Sequence, residues 1–316
     1  MAPPLPQRSE GGASSGLRQS HEIHGERDPP GCRQRKERKG GLPVADKASL
    51  ALDFRNIDRT QASTEAVRFL DNLNATQQVQ EIQRLTHRLL GACEGAHVLD
   101  AGCGVGDVTR ELGALVGRTG RVTGVDLSEA MVAEARRRTE GLGLPVEFRH
   151  GNIHQLDFPS ESFDGCRASR VFIYLEDPRQ ALSELLRLTR PGGTVVLFEP
   201  EMDSLVLDGP DRAVVRKLVH FWADQLRNPW VGRRIPGLFR SLGVTELSVT
   251  PVAGTWTLST MEAFGLHPIL GKAVQSGVAT ANEVAEWLQF MKERDQEGSF
   301  YGAVTGMVVR GIKPID

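Results

Sequence analysis

Apolar positions along the chain alternate between strand-like runs and helix-like repeats. The segment from Val98 to Asp107 begins with apolar residues typical of a buried strand and continues through a turn with three glycines. After Asp107, apolar residues recur at helical spacing, and a second strand from Arg121 to Val125 ends on Asp126. Strand, glycine turn, helix and strand in this order predict one half of a nucleoside-binding α/β fold.

The same pattern continues on both sides of this half-fold. Helical spacing from about Ala48 to Leu90 precedes the first strand, so these helices are predicted to lie outside the sheet. Residues 201–242 carry broad apolar helical faces and are predicted to form an insertion after the fifth strand. The remaining strands are predicted at Val146–Arg149, Phe163–Val171, Thr194–Pro200, Glu246–Val252 and Phe300–Val309.

The first 45 residues differ from the rest in composition. They contain six prolines, seven glycines, eight Lys or Arg and five Asp or Glu, and their apolar residues follow no period. Such a segment buries too little apolar surface to offset the entropy lost on ordering. We therefore predict a disordered basic tail at 1–45, a helical N-terminal cap at 46–90 and a main domain at 91–316 that contains the insertion.

Composition and charge argue against several classes of partner. The 316 residues carry a formal net charge of −2, which gives no case for nucleic acid or an anionic membrane as partner. No apolar run approaches the roughly 18 residues of a membrane span. The four cysteines are scattered, so we expect no metal site and a reducing, cytoplasmic location. A homodimer is compatible with the sequence.

The glycine turn and the following strand end form a candidate ligand site. Gly102, Gly104 and Gly106 allow backbone to approach a ligand with no Cβ in the way. The N–H groups at the start of the next helix favour a polar or anionic ligand group. The carboxylate of Asp126 can accept hydrogen bonds from both hydroxyls of a ribose. These features together predict a nucleoside-binding site.

The spacing of the glycines helps to choose the nucleoside. A dinucleotide site needs G-x-G-x-x-G, whereas this chain has G-x-G-x-G, with the third glycine one residue early. Asp100 stands two residues before the first glycine and is expected to point at the same ligand. A carboxylate there repels a pyrophosphate but suits a sulfonium or ammonium group. The motif therefore favours S-adenosylmethionine over NAD.

With these motifs the chain resembles the class I S-adenosylmethionine-dependent methyltransferases. It is most similar to the group of small-molecule enzymes related to the menaquinone and ubiquinone C-methyltransferases, and the resemblance is sharpest from Val98 to Pro200. It implies an α/β, doubly wound Rossmann-like sheet of seven strands with the last strand antiparallel. Residues 46–90 would then form the helical cap, 91–316 the methyltransferase domain and 201–242 a lid insertion after strand five.

The resemblance also implies which residues bind the cofactor. Asn152 stands where the family usually carries an acid for the adenine amino group, and its amide oxygen can accept the same hydrogen bond. Met131 lies either against the adenine or in ordinary core, and both interpretations stay open. The complete predicted set is Asp100, Gly102, Cys103, Gly104, Gly106, Asp126, Leu127, Met131, Asn152, Ile153 and Ser169.

Methyl transfer to oxygen or carbon also needs a proton acceptor near the nucleophile. Tyr174, which stands where relatives commonly have histidine, and His220 are the predicted catalytic residues, with Glu199 and Glu201 as further candidates near the cleft. His87, on the last N-terminal helix, is expected to be exposed rather than a ligand.

The expected reaction is methyl transfer from S-adenosylmethionine to O, C or N of a small metabolite of the secondary-metabolite or quinone type. All four tryptophans follow residue 200, and such a wall suits an apolar or aromatic substrate. Two alternatives remain open at this point. One is a methyltransferase-like protein that binds without transferring methyl groups, and the other is an NAD(P)-dependent oxidoreductase.

Overall fold

The computed structural model describes residues 57–59 and 63–315, and the predicted tail at 1–45 lies outside them. One mixed sheet has the strand order β3-β2-β1-β4-β5-β7-β6. The first five strands in this order run parallel, and β7 is antiparallel to both β5 and β6. The strands are β1 (His97–Ala101), β2 (Arg121–Asp126), β3 (Val146–His150), β4 (Phe163–Ser169), β5 (Thr189–Leu207), β6 (Leu247–Thr255) and β7 (Gly302–Ile312). The predicted doubly wound, seven-stranded fold with an antiparallel last strand is confirmed.

The strands are apolar on both faces because helices cover both faces of the sheet. Val98 packs with helices α2 and α3 on one face, whereas the adjacent Leu99 packs with α5 and α7 on the other. None of the described helices has both the length and the apolar character to cross a bilayer. The helices are α1 (Ser63–Asn74), α2 (Gln77–Leu90), α3 (Asp107–Val116), α4 (Glu129–Thr139), α5 (Pro178–Leu188), α6 (Arg212–Asp224), α7 (Val231–Ser241), α8 (Leu258–Ala263), α9 (Leu266–Gln275) and α10 (Ala281–Gln296).

Strand β5 is longer than predicted at both ends. It begins at Thr189, and the Pro-Gly-Gly segment 191–193 forms an irregularity within the strand. At the other end Leu207 still pairs with Gly302 on β7. The helices of the predicted 201–242 insertion therefore begin only at Arg212.

Helix α2 packs against the rest of the protein through two stripes. One is apolar, contains Ile82, Leu85 and Leu89, and lies half-buried beside Val98, Val122 and Val196 of the sheet. A second buried stripe contains Gln83, Thr86, His87 and Leu90, which follow the i, i+3, i+4, i+7 spacing of one helix face. The prediction that His87 is exposed is wrong, because this second face turns inward and leaves only 7% of His87 exposed.

Helix α4 is capped from two directions. Ser128 is the N-cap, and its Oγ accepts the N–H of Met131 at 3.2 Å. Asp58, from the short 3₁₀ helix Ile57–Arg59, accepts the Ser128 hydroxyl at 2.6 Å and the Glu129 N–H at 2.8 Å. The short helix Ile57–Arg59 is therefore fastened beside the end of β2.

Candidate active site

A cavity of about 480 Å³ lies at the carboxyl ends of β1, β2 and β4. Helices α1 and α2 line one side, and α6, α8 and the strands β6 and β7 line another. Its volume is in the usual range for small-molecule sites, and its place at the carboxyl ends of parallel strands is the usual one in open α/β sheets.

The glycine turn forms the floor of the cavity. Gly102 and Gly104 line it with φ values of +77° and +54°, which non-glycine residues rarely adopt. A Cβ on Gly102 would lie 2.2 Å from Val171 Cγ2, so the close packing of the turn also requires glycine. Gly106 is buried against the Phe148 ring and does not line the cavity. Its predicted contact with the cofactor is therefore corrected: its φ of +78° serves the start of α3.

Asp126 is held in a fixed orientation at the end of β2. Its Oδ2 accepts the N–H of Gly104 at 2.8 Å, and its Oδ1 accepts the N–H of Ser128 at 2.9 Å. Burial raises the pKa of this carboxyl above its ordinary value, while these two hydrogen bonds oppose the rise. Each carboxylate oxygen keeps a second lone pair, so the group can still accept two hydroxyls.

Asp100 is not the free carboxylate that the sequence suggested. It lines the cavity but is 1% exposed, and its Oδ1 accepts a hydrogen bond from Arg167 Nη1 at 2.8 Å. Its Oδ2 accepts the hydroxyl of Thr109 at 2.7 Å. Arg167 is also buried and lies directly beside Asp100 in the β1–β4 register. The charge predicted to face a sulfonium is therefore already compensated within the protein.

Four further residues of the predicted set also line the cavity. Leu127, Met131, Asn152 and Ile153 all line it. Met131 is also packed with Ile57 in a small buried cluster, so the cavity and core interpretations of this residue are compatible.

The amide oxygen of Asn152 is engaged by His154. It accepts the His154 N–H at 3.0 Å and lies 2.8 Å from His154 Nδ1. Because His154 Nε2 accepts the N–H of Asp177 at 3.3 Å, the neutral ring carries its proton on Nδ1 and donates it to Asn152. Both lone pairs of the amide oxygen are thus used. The predicted acceptor role of Asn152 is corrected, and its NH₂ group is left as a donor.

Cys103 and Ser169, which are in the predicted cofactor set, also line the cavity. Burial raises the pKa of the Cys103 thiol well above its ordinary value, and the nearby carboxylates add to the rise. A thiol that stays protonated is a poor nucleophile. Cys103 therefore acts as a small space-filling residue in the turn.

Of the four candidates for proton transfer, Tyr174 lines the cavity. His220 is exposed on α6, whose buried face carries Val215, Leu218, Val219 and Trp222. It does not line the cavity, so its predicted contact with a substrate is corrected.

The two glutamates are occupied elsewhere. Glu201 pairs with Arg233 at 2.7 Å. Glu199 is fully buried and accepts N–H groups from Val171, Phe172 and Ile173 at 2.8, 2.8 and 3.3 Å. Burial raises the pKa of Glu199 to about 7, against the opposing effect of these hydrogen bonds.

Comparison with known proteins agrees with this geometry. A family model described as a methyltransferase domain matches residues 99–197. An uncharacterized 37.1 kDa protein in transposon Tn4556 of Streptomyces fradiae is 36% identical over 251 residues, which cover 78% of this chain and 71% of that protein. The ubiquinone/menaquinone biosynthesis C-methyltransferase UbiE of Bdellovibrio bacteriovorus is 39% identical over 109 residues. The chain belongs to the class I S-adenosylmethionine-dependent methyltransferases.

The extent of these similarities differs along the chain. The match to UbiE covers 34% of this methyltransferase and 46% of that enzyme, so the chain spans about half the length of the named quinone relatives. Phosphoethanolamine N-methyltransferase 2 of Haemonchus contortus, solved with S-adenosyl-L-methionine, has a TM-score of 0.54 at 18% identity. It covers 83% of this chain and 60% of its own, and the likeness is one of fold.

The cofactor of this methyltransferase is S-adenosylmethionine, and the residues present fit it. The bare backbone of Gly102 and Gly104 lines a cradle that contains the oriented Asp126 carboxylate. The lone pairs of Asp126 match a ribose diol, and the apolar edge at Leu127 and Ile153 suits a flat base.

Sequence reasoning missed two arginines of this site. Arg167 neutralises Asp100, and Arg170 lines the cavity directly after β4. Strand pairing of β1 with β4 would have placed Arg167 beside Asp100. Arg170 gives no comparable signal, because an arginine at a strand end is usually solvated.

Proposed function

We propose that this methyltransferase transfers a methyl group to O, C or N of a small apolar or aromatic acceptor. The observation that carries the proposal is a row of aromatic side chains along the cavity. Trp222 lies 6.0 Å from Trp256, Trp256 stacks on Phe264 at 4.7 Å, and Phe264 meets Phe69 edge-on at 5.1 Å. All four residues line the cavity. A flat, apolar molecule is the ligand such a wall suits.

The other tryptophans have different environments. Trp287 is 1% exposed in the core, where its Nε1 donates to the Asp208 carbonyl at 2.9 Å. Trp230 is 43% exposed, and the guanidinium groups of Arg233 and Arg234 lie 5.3 and 5.5 Å from its ring centroid. Two of the four tryptophans therefore support the expectation of an aromatic acceptor site, and Trp230 offers a control outside it.

The chain's own contribution to the reaction is mainly positioning. S-adenosylmethionine, when bound, supplies an electrophilic methyl carbon on a sulfonium. Asp126 and the glycine turn would hold the nucleoside, and the aromatic wall would hold the acceptor ring, so the contribution of these residues would be to orient the two reactants. Among the residues that the structure describes, Tyr174 is the candidate to take up the proton of the methyl acceptor, because it lines the same cavity.

The names of several relatives are consistent with a flat ring as acceptor. They include a ubiquinone/menaquinone biosynthesis C-methyltransferase and demethylmenaquinone methyltransferases. We therefore place reduced naphthoquinones first among the acceptors to be tested, followed by phenols and aromatic amines.

The test is incubation with labelled S-adenosylmethionine and this panel. We expect label transfer to at least one flat acceptor. Phe264→Ala and Trp256→Ala should each raise the KM for that acceptor about tenfold or more, since each removes a large buried contact. Trp230→Ala is the matched control and should leave the KM unchanged. Tight binding of S-adenosylhomocysteine without transfer to any acceptor of the panel would contradict the proposal.

A further inference from the structure

Arg170 is a positively charged residue of the cavity wall that has no role in the reaction proposed above. It follows β4 directly, is half-buried and lines the cavity. Its φ is +59°, a left-handed value that costs a non-glycine residue energy. Its N–H donates to the Phe198 carbonyl at 2.8 Å, which fastens this conformation to β5.

Among the described residues, the side chain of Arg170 has an amide partner but no carboxylate in direct contact. Its Nη2 donates to Asn74 Oδ1 at 3.1 Å. Within residues 57–59 and 63–315, no carboxylate lies within 4.0 Å of its guanidinium nitrogens. By contrast, Arg167 pairs with Asp100, and Arg227, which also lines the cavity, pairs with Glu176 at 3.7 Å.

Asn74 is itself held in place and serves to aim the guanidinium. Its Nδ2 donates to Asp107 Oδ2 at 2.8 Å, and its Oδ1 also accepts from Gln83 Nε2 at 3.4 Å. Burial lowers the pKa of Arg170 to about 10, which leaves the side chain charged at neutral pH. One amide oxygen uses one of the five guanidinium N–H donors, so donors remain for a further group.

The backbone around Arg170 is rigidly supported. The buried carboxylate of Glu199 accepts the N–H groups of the next three residues, 171–173. This anchor keeps the strained residue from relaxing into an ordinary conformation. The charges of Glu199 and Asp100 act on the guanidinium, but among the described residues no carboxylate forms a direct ion pair with it. A partly desolvated cation on strained backbone is stabilised when a ligand acceptor meets its remaining N–H donors.

We propose that Arg170, aimed by Asn74, binds an ionised oxygen of a ligand inside the cavity: a carboxylate, phenolate or enolate. The inference rests on the proposed function, since it assumes a small-molecule ligand. Two ligands can supply this chemistry, namely an acidic acceptor and the amino-acid end of the cofactor. On an acceptor, the guanidinium would stabilise the deprotonated nucleophile or hold an acid group beside it.

The test measures binding without turnover, so that it is independent of whether methyl transfer succeeds. Arg170→Asn removes the charge with a residue that tolerates left-handed backbone, and Arg170→Lys keeps the charge. Arg227→Gln is the matched control, because it removes a cavity arginine that already has a carboxylate partner. Titration calorimetry compares S-adenosylhomocysteine with 5′-methylthioadenosine, which lacks the amino acid. It then compares 2-naphthoate with 2-naphthamide on protein loaded with S-adenosylhomocysteine.

Two outcomes support the proposal and identify the source of the anion. If Arg170→Asn weakens S-adenosylhomocysteine about tenfold or more but spares methylthioadenosine, the anion belongs to the cofactor. If instead it removes a preference of about tenfold for naphthoate over naphthamide, the anion belongs to the acceptor. In either case Arg170→Lys should retain part of the affinity or preference that Arg170→Asn loses, and Arg227→Gln should retain all of it.

Unchanged affinities for all four ligands in Arg170→Asn would overturn the proposal. If Arg170→Asn binds none of the four ligands, Arg170→Lys decides. A preference of Arg170→Lys for the anionic member of either ligand pair supports the proposal, and loss of that preference overturns it. If the aromatic wall does not bind flat acceptors, naphthoate and naphthamide both fail to bind the unaltered protein. This result differs from every outcome that overturns the role of Arg170.

Discussion

The two ends of the cavity are built in different ways. At the cofactor end, the carboxylate of Asp126 is oriented by backbone N–H groups of Gly104 and Ser128, all within one strand–turn–helix–strand unit. At the proposed acceptor end, the wall is made of aromatic side chains from α1, from α6 and from the residues on either side of α8. The first end depends on local backbone geometry, whereas the second depends on how distant helices pack. Variants should therefore separate cofactor binding from acceptor binding.

The largest expected effect lies between the two ends, at the buried pair of Asp100 and Arg167. Arg167→Leu leaves a desolvated carboxylate without its counter-charge, so we expect a loss of about 3–5 kcal/mol in the free energy of unfolding. The combined Asp100→Leu and Arg167→Leu variant should recover most of this loss, because replacing both charges removes the desolvation cost. Urea denaturation measures both. Equal stability of the single and double variants would show that the pair is not a coupled buried ion pair.

At the cofactor end, Asp126→Ala is expected to reduce affinity for S-adenosylhomocysteine about a hundredfold. The change removes a charged acceptor for two hydroxyls, and hydrogen bonds to a charged group contribute about 1.5–3 kcal/mol each. Titration calorimetry gives the affinity and circular dichroism the fold. Asp157→Ala, at an exposed position outside the cavity, is the control. Affinity retained in Asp126→Ala would remove the basis for assigning this end to the cofactor.

On the buried face of α2, His87 should make stability depend on pH. Burial lowers the pKa of His87 from 6.5 to about 4, and the charge of Arg167 adds to the effect. The unfolded chain therefore takes up a proton near pH 6.5 that the folded protein accepts only near pH 4. Stability from this residue is complete above pH 6.5 and is lost as the pH falls toward 4, by about 3 kcal/mol in total.

Urea midpoints at pH 7.5, 6 and 5 test this expectation. His87→Gln should flatten the dependence because glutamine does not titrate. His150→Gln, at an exposed histidine, should leave it as steep as in the unaltered protein. A slope that survives His87→Gln would assign the pH dependence to other groups.

At the acceptor end, Glu199→Gln should loosen the turn that carries Arg170 and Tyr174. The amide would turn an N–H₂ group toward backbone N–H groups, at a cost of about 1–3 kcal/mol to the local structure. Hydrogen exchange at residues 171–173 should accelerate about tenfold or more, while affinity for methylthioadenosine stays unchanged. Unaltered exchange at these amides would mean that other contacts hold the turn.

Much of the cofactor end could be predicted because its information is local. The apolar periods placed the strands, and the glycine turn with Asp126 indicated the ligand class before any contact was known. Gly106 was assigned to the ligand by the same motif, yet the Phe148 ring on β3 fills its surroundings. The motif predicts where a Cβ would clash with neighbouring atoms, but not whether those atoms belong to a ligand or to the protein.

The sequence by itself determined the α/β class, the glycine turn and the carboxylate at the end of β2, because periodicity and short motifs act within a few residues. Tertiary structure alone decided that Asp100 meets Arg167, that His87 turns inward and His220 outward, and that four distant aromatic residues share one wall. Strand register fixes the first, and the rotation of each helix about its axis fixes the others. Both depend on which apolar stripe the rest of the molecule buries.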